Sequence, residues 1–232
     1  MAPNRFWCIL ALAAMFMSPL RLLSQSKYSL GFSGSFPVGS FASTAPGNGS
    51  FAKPGWSIMF ENEAHFRSWP KIFALGLHLS YQENSIDNKA MAREFTLALG
   101  ARTEVSGAKY RPFLATVGPF FDIPVTPKFD IGIKTGIGFV LPNIDSFELT
   151  VFPAGQEADM FEIDFKSSPS FTFLLGLNGE YKLSHALNLT VFADYSRART
   201  AVDSFIGSAG RVRSDYDLLF VNVGLGIAVI LE

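Results

Sequence analysis

The feature that most constrains this chain is a period of two. Long stretches alternate an apolar residue with a small or polar one, which is the mark of β-strands with unlike faces. Across 128–141 the odd positions are Phe129, Ile131, Ile133, Thr135, Ile137, Phe139 and Leu141, while the even ones include Asp130, Gly132, Lys134, Gly136 and Gly138. The same reading sets Phe73, Leu75, Leu77, Leu79 and Tyr81 against Ala74, Gly76, His78 and Ser80. It sets Phe95, Leu97, Leu99 and Ala101 against Glu94, Thr96, Ala98, Gly100, Arg102 and Glu104. Further segments follow the pattern at 171–181, 187–196 and 219–231, and no position on their apolar faces carries a charge.

Alternation alone leaves open whether the apolar face points into a core or out into lipid; the other face decides. A water-exposed face is dense in Lys, Glu and long polar side chains. Here it is mostly Gly, Ala and Ser with scattered ions: Glu61, Glu63, Glu94, Arg102, Glu104, Lys134, Glu180 and Asp194. Small residues with ions of both signs suit the cramped interior of a narrow barrel, where charges pair and side chains fill the space. Composition agrees. The chain of 232 residues is 48% hydrophobic and only 17% charged, against about 25% charged in soluble domains. Aromatics at 14% and a net charge of −1 exclude disorder, and a pI near 6.3 with no basic cluster argues against a nucleic-acid partner.

Residues 1–26 have the layout of a secretory signal peptide: Arg5, an apolar stretch from Phe6 to Leu20, then Ser24 and Ser26 near the expected cleavage point. Arg21 and Pro19 cut the apolar run short of the roughly 20 residues a membrane helix needs. Cleavage removes the only cysteine, Cys8, so no disulfide is available to the remainder, 27–232, read as one barrel domain.

Nine strands are read at 27–37, 55–66, 71–82, 93–105, 110–122, 128–141, 170–182, 186–198 and 213–231, with Phe147, Leu149 and Val151 marking a tenth. Ten strands satisfy the even count of closed antiparallel barrels and put both termini on one side. Tight turns then fall at 67–70, 105–109, 142–146 and 183–185 on the inner side, and long connections at 38–54, 83–92, 153–169 and 199–212 outside. Eight strands is the alternative, with two weak segments forming an extramembrane hairpin. Aromatics near segment ends, among them Tyr28, Trp56, Phe66, Trp69, Phe73, Tyr81, Tyr110, Phe129, Tyr181, Tyr195 and Tyr216, are read as interfacial girdles.

With its export signal, opening Gly-rich strand at Leu30–Phe36, Lys53-Pro54-Gly55-Trp56 and Lys109-Tyr110-Arg111-Pro112-Phe113, the chain resembles the small outer-membrane β-barrel domains of Gram-negative bacteria, OmpA-like or porin-like. It departs from them in ending Ile230-Leu231-Glu232, where such barrels usually end in an aromatic. The resemblance implies an all-β transmembrane antiparallel up-and-down barrel in the outer membrane. Its surroundings would be outer-membrane lipid and lipopolysaccharide, and its assembly would use the barrel-assembly machinery.

The eight lumen ions are expected to be a structural plug of paired charges. His78 and Ser80 share the lumen face, but residues i and i+2 on a strand lie almost 7 Å apart, too far for a nucleophile and its base. No cofactor, metal or catalytic set is expected. The acidic stretch at Glu157, Asp159, Glu162 and Asp164 and the basic one at Arg199, Arg211 and Arg213 are read as solvated loops that pair with one another or meet lipopolysaccharide phosphates. The function expected is a structural or surface-binding barrel with a plugged lumen and an unidentified external ligand. The alternative is a narrow passive channel, and a lipid-modifying enzyme ranks third.

Overall fold

The computed structural model describes residues 23–45, 50–206 and 211–231. The segment read as an export signal lies outside the described residues up to position 22. In chain order the elements are β1 (Leu23–Pro37), β2 (Ala52–Phe66), β3 (Phe73–Ile86), α1 (Asn88–Leu99), β4 (Arg102–Ser106), β5 (Lys109–Tyr110), β6 (Phe113–Thr126), β7 (Phe129–Leu141), β8 (Phe147–Phe152), β9 (Asp159–Ser167), β10 (Ser170–Lys182), β11 (Leu187–Ile206) and β12 (Arg211–Leu231).

Eight of these strands pair antiparallel in a ring: β1, β2, β3, β6, β7, β10, β11, β12 and back to β1. The closing ladder runs from Thr172↔Ala198 to Lys182↔Asn188. Closure satisfies every strand edge, which a sheet surrounded by hydrocarbon requires. The apolar faces point outward. Phe32 is 62% exposed, Phe139 62% and Phe171 60%, while their neighbours Ser33, Val140 and Thr172 are buried. An apolar belt of this kind around a closed ring is a lipid-facing surface, not a water-facing one.

The barrel therefore crosses with eight strands and not ten. Two segments read as crossing strands lie outside it. Residues 93–105 divide into α1 and the short β4, and the Phe147–Val151 piece is β8, which pairs with β4 and β9. Together β4, β8, β9 and the outer half of β11 make a second row of strands continuous with the barrel wall through Val202↔Ser167 to Ile206↔Ile163. With two crossings removed, the turns at 105–109 and 142–146 move to the outer side. The inner rim keeps the connections after Phe66, Thr126 and Lys182.

Glycine on the lumen face makes room for the large side chains opposite. A Cβ on Gly76 would run into the ring of Phe120, and one on Gly176 would meet Lys134 and Asp194. Aromatic clusters mark both ends of the belt. Phe66, Trp69 and Phe73 pack with tilted rings along the inner rim, with centroids 4.5 and 4.8 Å apart. Trp56 joins Phe32 at 6.2 Å and Tyr81 at 5.7 Å toward the outer one. Tyr110 and Tyr216 are not girdle residues. Tyr110 is buried at the outer mouth, and Tyr216 faces the extramembrane structure above it.

Candidate functional site

Inside the barrel two lysines organise the ions. Lys134 on β7 reaches Glu61 of β2 at 2.5 Å and Asp194 of β11 at 2.9 Å. His78 Nδ1 lies 2.8 Å from the same Glu61, and Phe192 places its ring 5.2 Å from the ammonium. Nearer the inner rim Lys27 of β1 contacts Glu63 at 2.9 Å, Asp122 at 2.9 Å and Glu180 at 2.6 Å. Asn178 and Asn188 donate to the Glu180 carboxylate at 2.9 and 3.0 Å. Each network ties together strands from opposite walls, so each is a bar across the lumen.

Five of the eight residues singled out from the sequence, Glu61, Glu63, Lys134, Glu180 and Asp194, meet in these two networks. The other three do not line the lumen. Glu94 lies on α1, and Arg102 and Glu104 lie exposed on β4, 2.6 Å apart. Their apparent place on a lumen face comes from the alternation of 93–105, which belongs to no membrane strand. Sequence reasoning missed Lys27, Asp122, Asn178 and Asn188, although Lys27 is in phase with the small residues Ser29, Gly31 and Ser33.

Two triads, Glu61–His78–Asp194 and Glu63–His65–Asp122, bring ligand-type atoms together. Each already surrounds a lysine ammonium through its carboxylates, which makes them ion-pair cages more than cation sites. His78 faces Glu61 and not a serine nucleophile, while Ser80 Oγ makes no hydrogen bond.

Above the ions the outer mouth is closed by an apolar cluster. Phe41, from the single turn Gly39–Ala42, is wholly buried with its ring 4.9 Å from both Tyr110 and Phe220. Leu114, Val140 and Ala198 join it from three strands of the wall. The turn is held by the Val38 N–H donating to Leu219 O at 3.1 Å, and the Tyr110 hydroxyl donates to Ser50 O at 2.8 Å.

Outside the mouth, α1, the second row of strands and the β11–β12 hairpin line a half-open cavity of about 650 Å³. Helix α1 is set by its ends. Asp87 accepts from the Ala90 N–H at 3.0 Å, and Gly100 adopts φ +65°, the left-handed conformation that ends helices. Its Met91, Glu94, Phe95 and Ala98 face the cavity. Thr103 of β4 fastens the helix by donating to Ala92 O at 2.6 Å. Burial, and then the nearby Glu94, push the Tyr216 hydroxyl above its ordinary pKa. Arg199 and Arg211 of the outer hairpin pair with acids of that same hairpin and not with the acidic stretch. Arg199 meets Asp215 at 3.0 Å, and Arg211 meets Asp203 at 2.6 Å.

No family model matches the sequence, and no curated protein matches it. Solved structures do. The outer membrane protein OprG from Pseudomonas aeruginosa is 13% identical with a TM-score of 0.56, over 91% of this chain and 97% of that one. A major outer membrane protein from Thermus thermophilus is 12% identical with a TM-score of 0.50, over 89% and 99%. Ring closure, apolar belt and these likenesses agree: the chain has the fold of the small outer-membrane β-barrel proteins.

Proposed function

We propose that the protein is an outer-membrane barrel that does not conduct and carries no catalytic chemistry, and that its working part is the outward-facing structure held above the mouth. In this reading it is exported with cleavage near Ser24 or Ser26 and sits among outer-membrane lipid and lipopolysaccharide. The observation that supports it best is the double closure of the lumen: a buried Lys134 network in mid-barrel and, above it, the wholly buried Phe41. Filling an eight-stranded barrel with side chains leaves no continuous aqueous path. The strand that forms the wall also builds the cavity, so the barrel serves as a rigid base for a binding surface.

The channel reading keeps one observation in its favour. Ser80, Thr116, Thr190, Ser196 and Asn222 each have a buried polar atom without a hydrogen-bond partner, and such groups call for water in the lumen. Planar-bilayer recording separates the two. The purified, folded protein is expected to give no discrete conductance steps; ohmic steps that persist after repurification would overturn the sealed-lumen reading in favour of the channel.

A further inference from the structure

We infer that the outer cavity binds a neutral sugar ring. This deepens the surface-binding reading and rests on it only for the side of the membrane the cavity faces. At about 650 Å³ the half-open space falls in the range of small-molecule sites, about 300–1,000 Å³. Its two walls are unlike. One, from α1, β8 and β9, carries Phe95, Phe147, Ile163 and Phe165. The other, from the β11–β12 hairpin, carries Arg199, Ser204, Ser214, Asp215, Tyr216 and Asp217. Glu94 and Val212 are the exceptions, a carboxylate in the apolar wall and an apolar residue in the polar one. The walls are joined by the β9–β11 ladder, and Thr103 holds α1 in place, so the site is formed before a ligand arrives.

The charges on the lining are already engaged. Arg199 lies 3.0 Å from Asp215, Asp217 Oδ2 lies 3.8 Å from Arg197, and Glu94 is engaged near the Tyr216 hydroxyl. An ion of either sign would find no free counter-ion here. A wholly apolar ligand would suit the aromatic wall but strip water from the other, leaving polar groups there without partners. What the hairpin wall offers is hydrogen bonding. Asp217 Oδ1 is shielded from solvent and accepts no hydrogen bond. The Ser204 hydroxyl donates to Val212 O at 3.2 Å and keeps its lone pairs for a further donor. Burial, and then Glu94, hold the Tyr216 hydroxyl protonated, so it remains a donor. A sugar answers both walls: its hydroxyls donate and accept without charge, and the C–H face of its ring rests on the negative face of an aromatic. Phe95 and Phe165 are only half-buried and leave ring surface for that contact. A free sugar and the end residue of a longer glycan present the same ring, and the open side of the cavity admits either.

The test uses the full mature barrel in nanodiscs of zwitterionic lipid, where no glycolipid competes. The probes are the methyl β-glycosides of glucose, galactose and mannose, the uronide and the 6-amino-6-deoxy analogue of whichever binds best, and 2-phenylethanol as an apolar molecule of similar size. Calorimetric titration is expected to show saturable binding of at least one neutral glycoside, and at least tenfold weaker binding of both charged analogues and of 2-phenylethanol. Offering the preferred sugar as the end residue of its trisaccharide separates the sources: binding kept points to a glycan end, binding lost to the free sugar. Phe95→Ala should weaken binding at least tenfold and Phe95→Tyr keep it. Asp217→Ala should weaken it likewise, whereas Asp217→Asn, which drops the charge and keeps an acceptor, should hold it within threefold. Variants are compared only if they keep the heat-modifiable gel migration of a folded barrel, and the ranking of the probes on the wild-type protein stands without them. No saturable binding of any neutral glycoside, a charged analogue or 2-phenylethanol less than tenfold weaker than the sugar, or unchanged affinity in the folded Phe95→Ala and Asp217→Ala proteins would overturn the inference. A barrel that conducts yet binds the glycoside would overturn the sealed-lumen reading and leave this one intact.

Discussion

At the scale of single residues the lumen depends on two lysines that hold more negative charge than they carry. Lys134 is 1% exposed and is the ammonium shared by Glu61 and Asp194. Replacing it by Met strands two buried carboxylates, and losing one member of a buried ion pair costs about 3–5 kcal/mol. The K134M barrel is expected to unfold at a clearly lower urea midpoint in lipid vesicles, and adding Glu61→Gln and Asp194→Asn should recover part of the loss. A substitution at Gly76 tests the steric side. Gly76→Val drives methyl groups into Phe120, an overpacking cost of about 1–3 kcal/mol, and Phe120→Ala in the same chain should relieve it. Glu61, Glu63, Lys134, Glu180 and Asp194 could be picked out because an ion among small residues on a barrel face has no solvent to turn to. Lys27 and Asp122 were harder to recognise, since both fall at the ends of the strands as read from the sequence, 27–37 and 110–122, where a charge reads as an ordinary rim residue, although the strands themselves run on to Leu23 and Thr126. Which carboxylate meets which lysine depends on the stagger across the ring, which no single strand encodes.

At the scale of elements, α1 shows how a period can mislead. Phe95, Leu97, Leu99 and Ala101 alternate like a strand, yet Leu97 and Leu99 are exposed on a helix whose inward set is Met91, Phe95 and Ala98. Asp87 and Gly100 were the available boundary signals, a helix start and a helix stop on either side of its 12 residues. The barrel strands were legible because their alternation runs, with few breaks, through the 13 residues of β7 and of β10. Asp87 also carries a pH dependence. The Ala90 N–H, and then Lys53 at 3.2 Å, hold its carboxyl below the usual carboxylate range. Because the folded value is the lower one, the cap contributes its full stability above the ordinary pKa of about 4 and loses it as pH falls through the depressed value. Asp87→Ala should cost the helix about 0.5–2 kcal/mol. Chymotryptic cleavage within 88–99 at neutral pH is expected to rise in this variant, and in the wild-type protein the protection of those amides against hydrogen exchange should fall in acid.

At the scale of the whole molecule, the period of two established an inside-out barrel, and the even count narrowed the strands to eight or ten. The choice between them turned on whether short segments reach across the belt, and length decides that. β8 has 6 residues and β4 has 5, too few for a bilayer crossing of about 9–11. A folded barrel of this design should resist SDS until boiled and then shift on gels, whereas a soluble protein of the same mass would not depend on detergent.

The continuity of β11 has a mechanical side. Its 20 residues belong first to the wall, paired to β10 and β12, and then to the outer row, paired to β9 and still to β12. A pull on the outer structure directed along this strand loads it lengthwise and not across it. Interstrand hydrogen bonds lie perpendicular to the strands, so the pull is taken in shear by the ladder as a whole, without peeling bonds apart one after another. A tether of that geometry passes the load to the whole ladder of the wall.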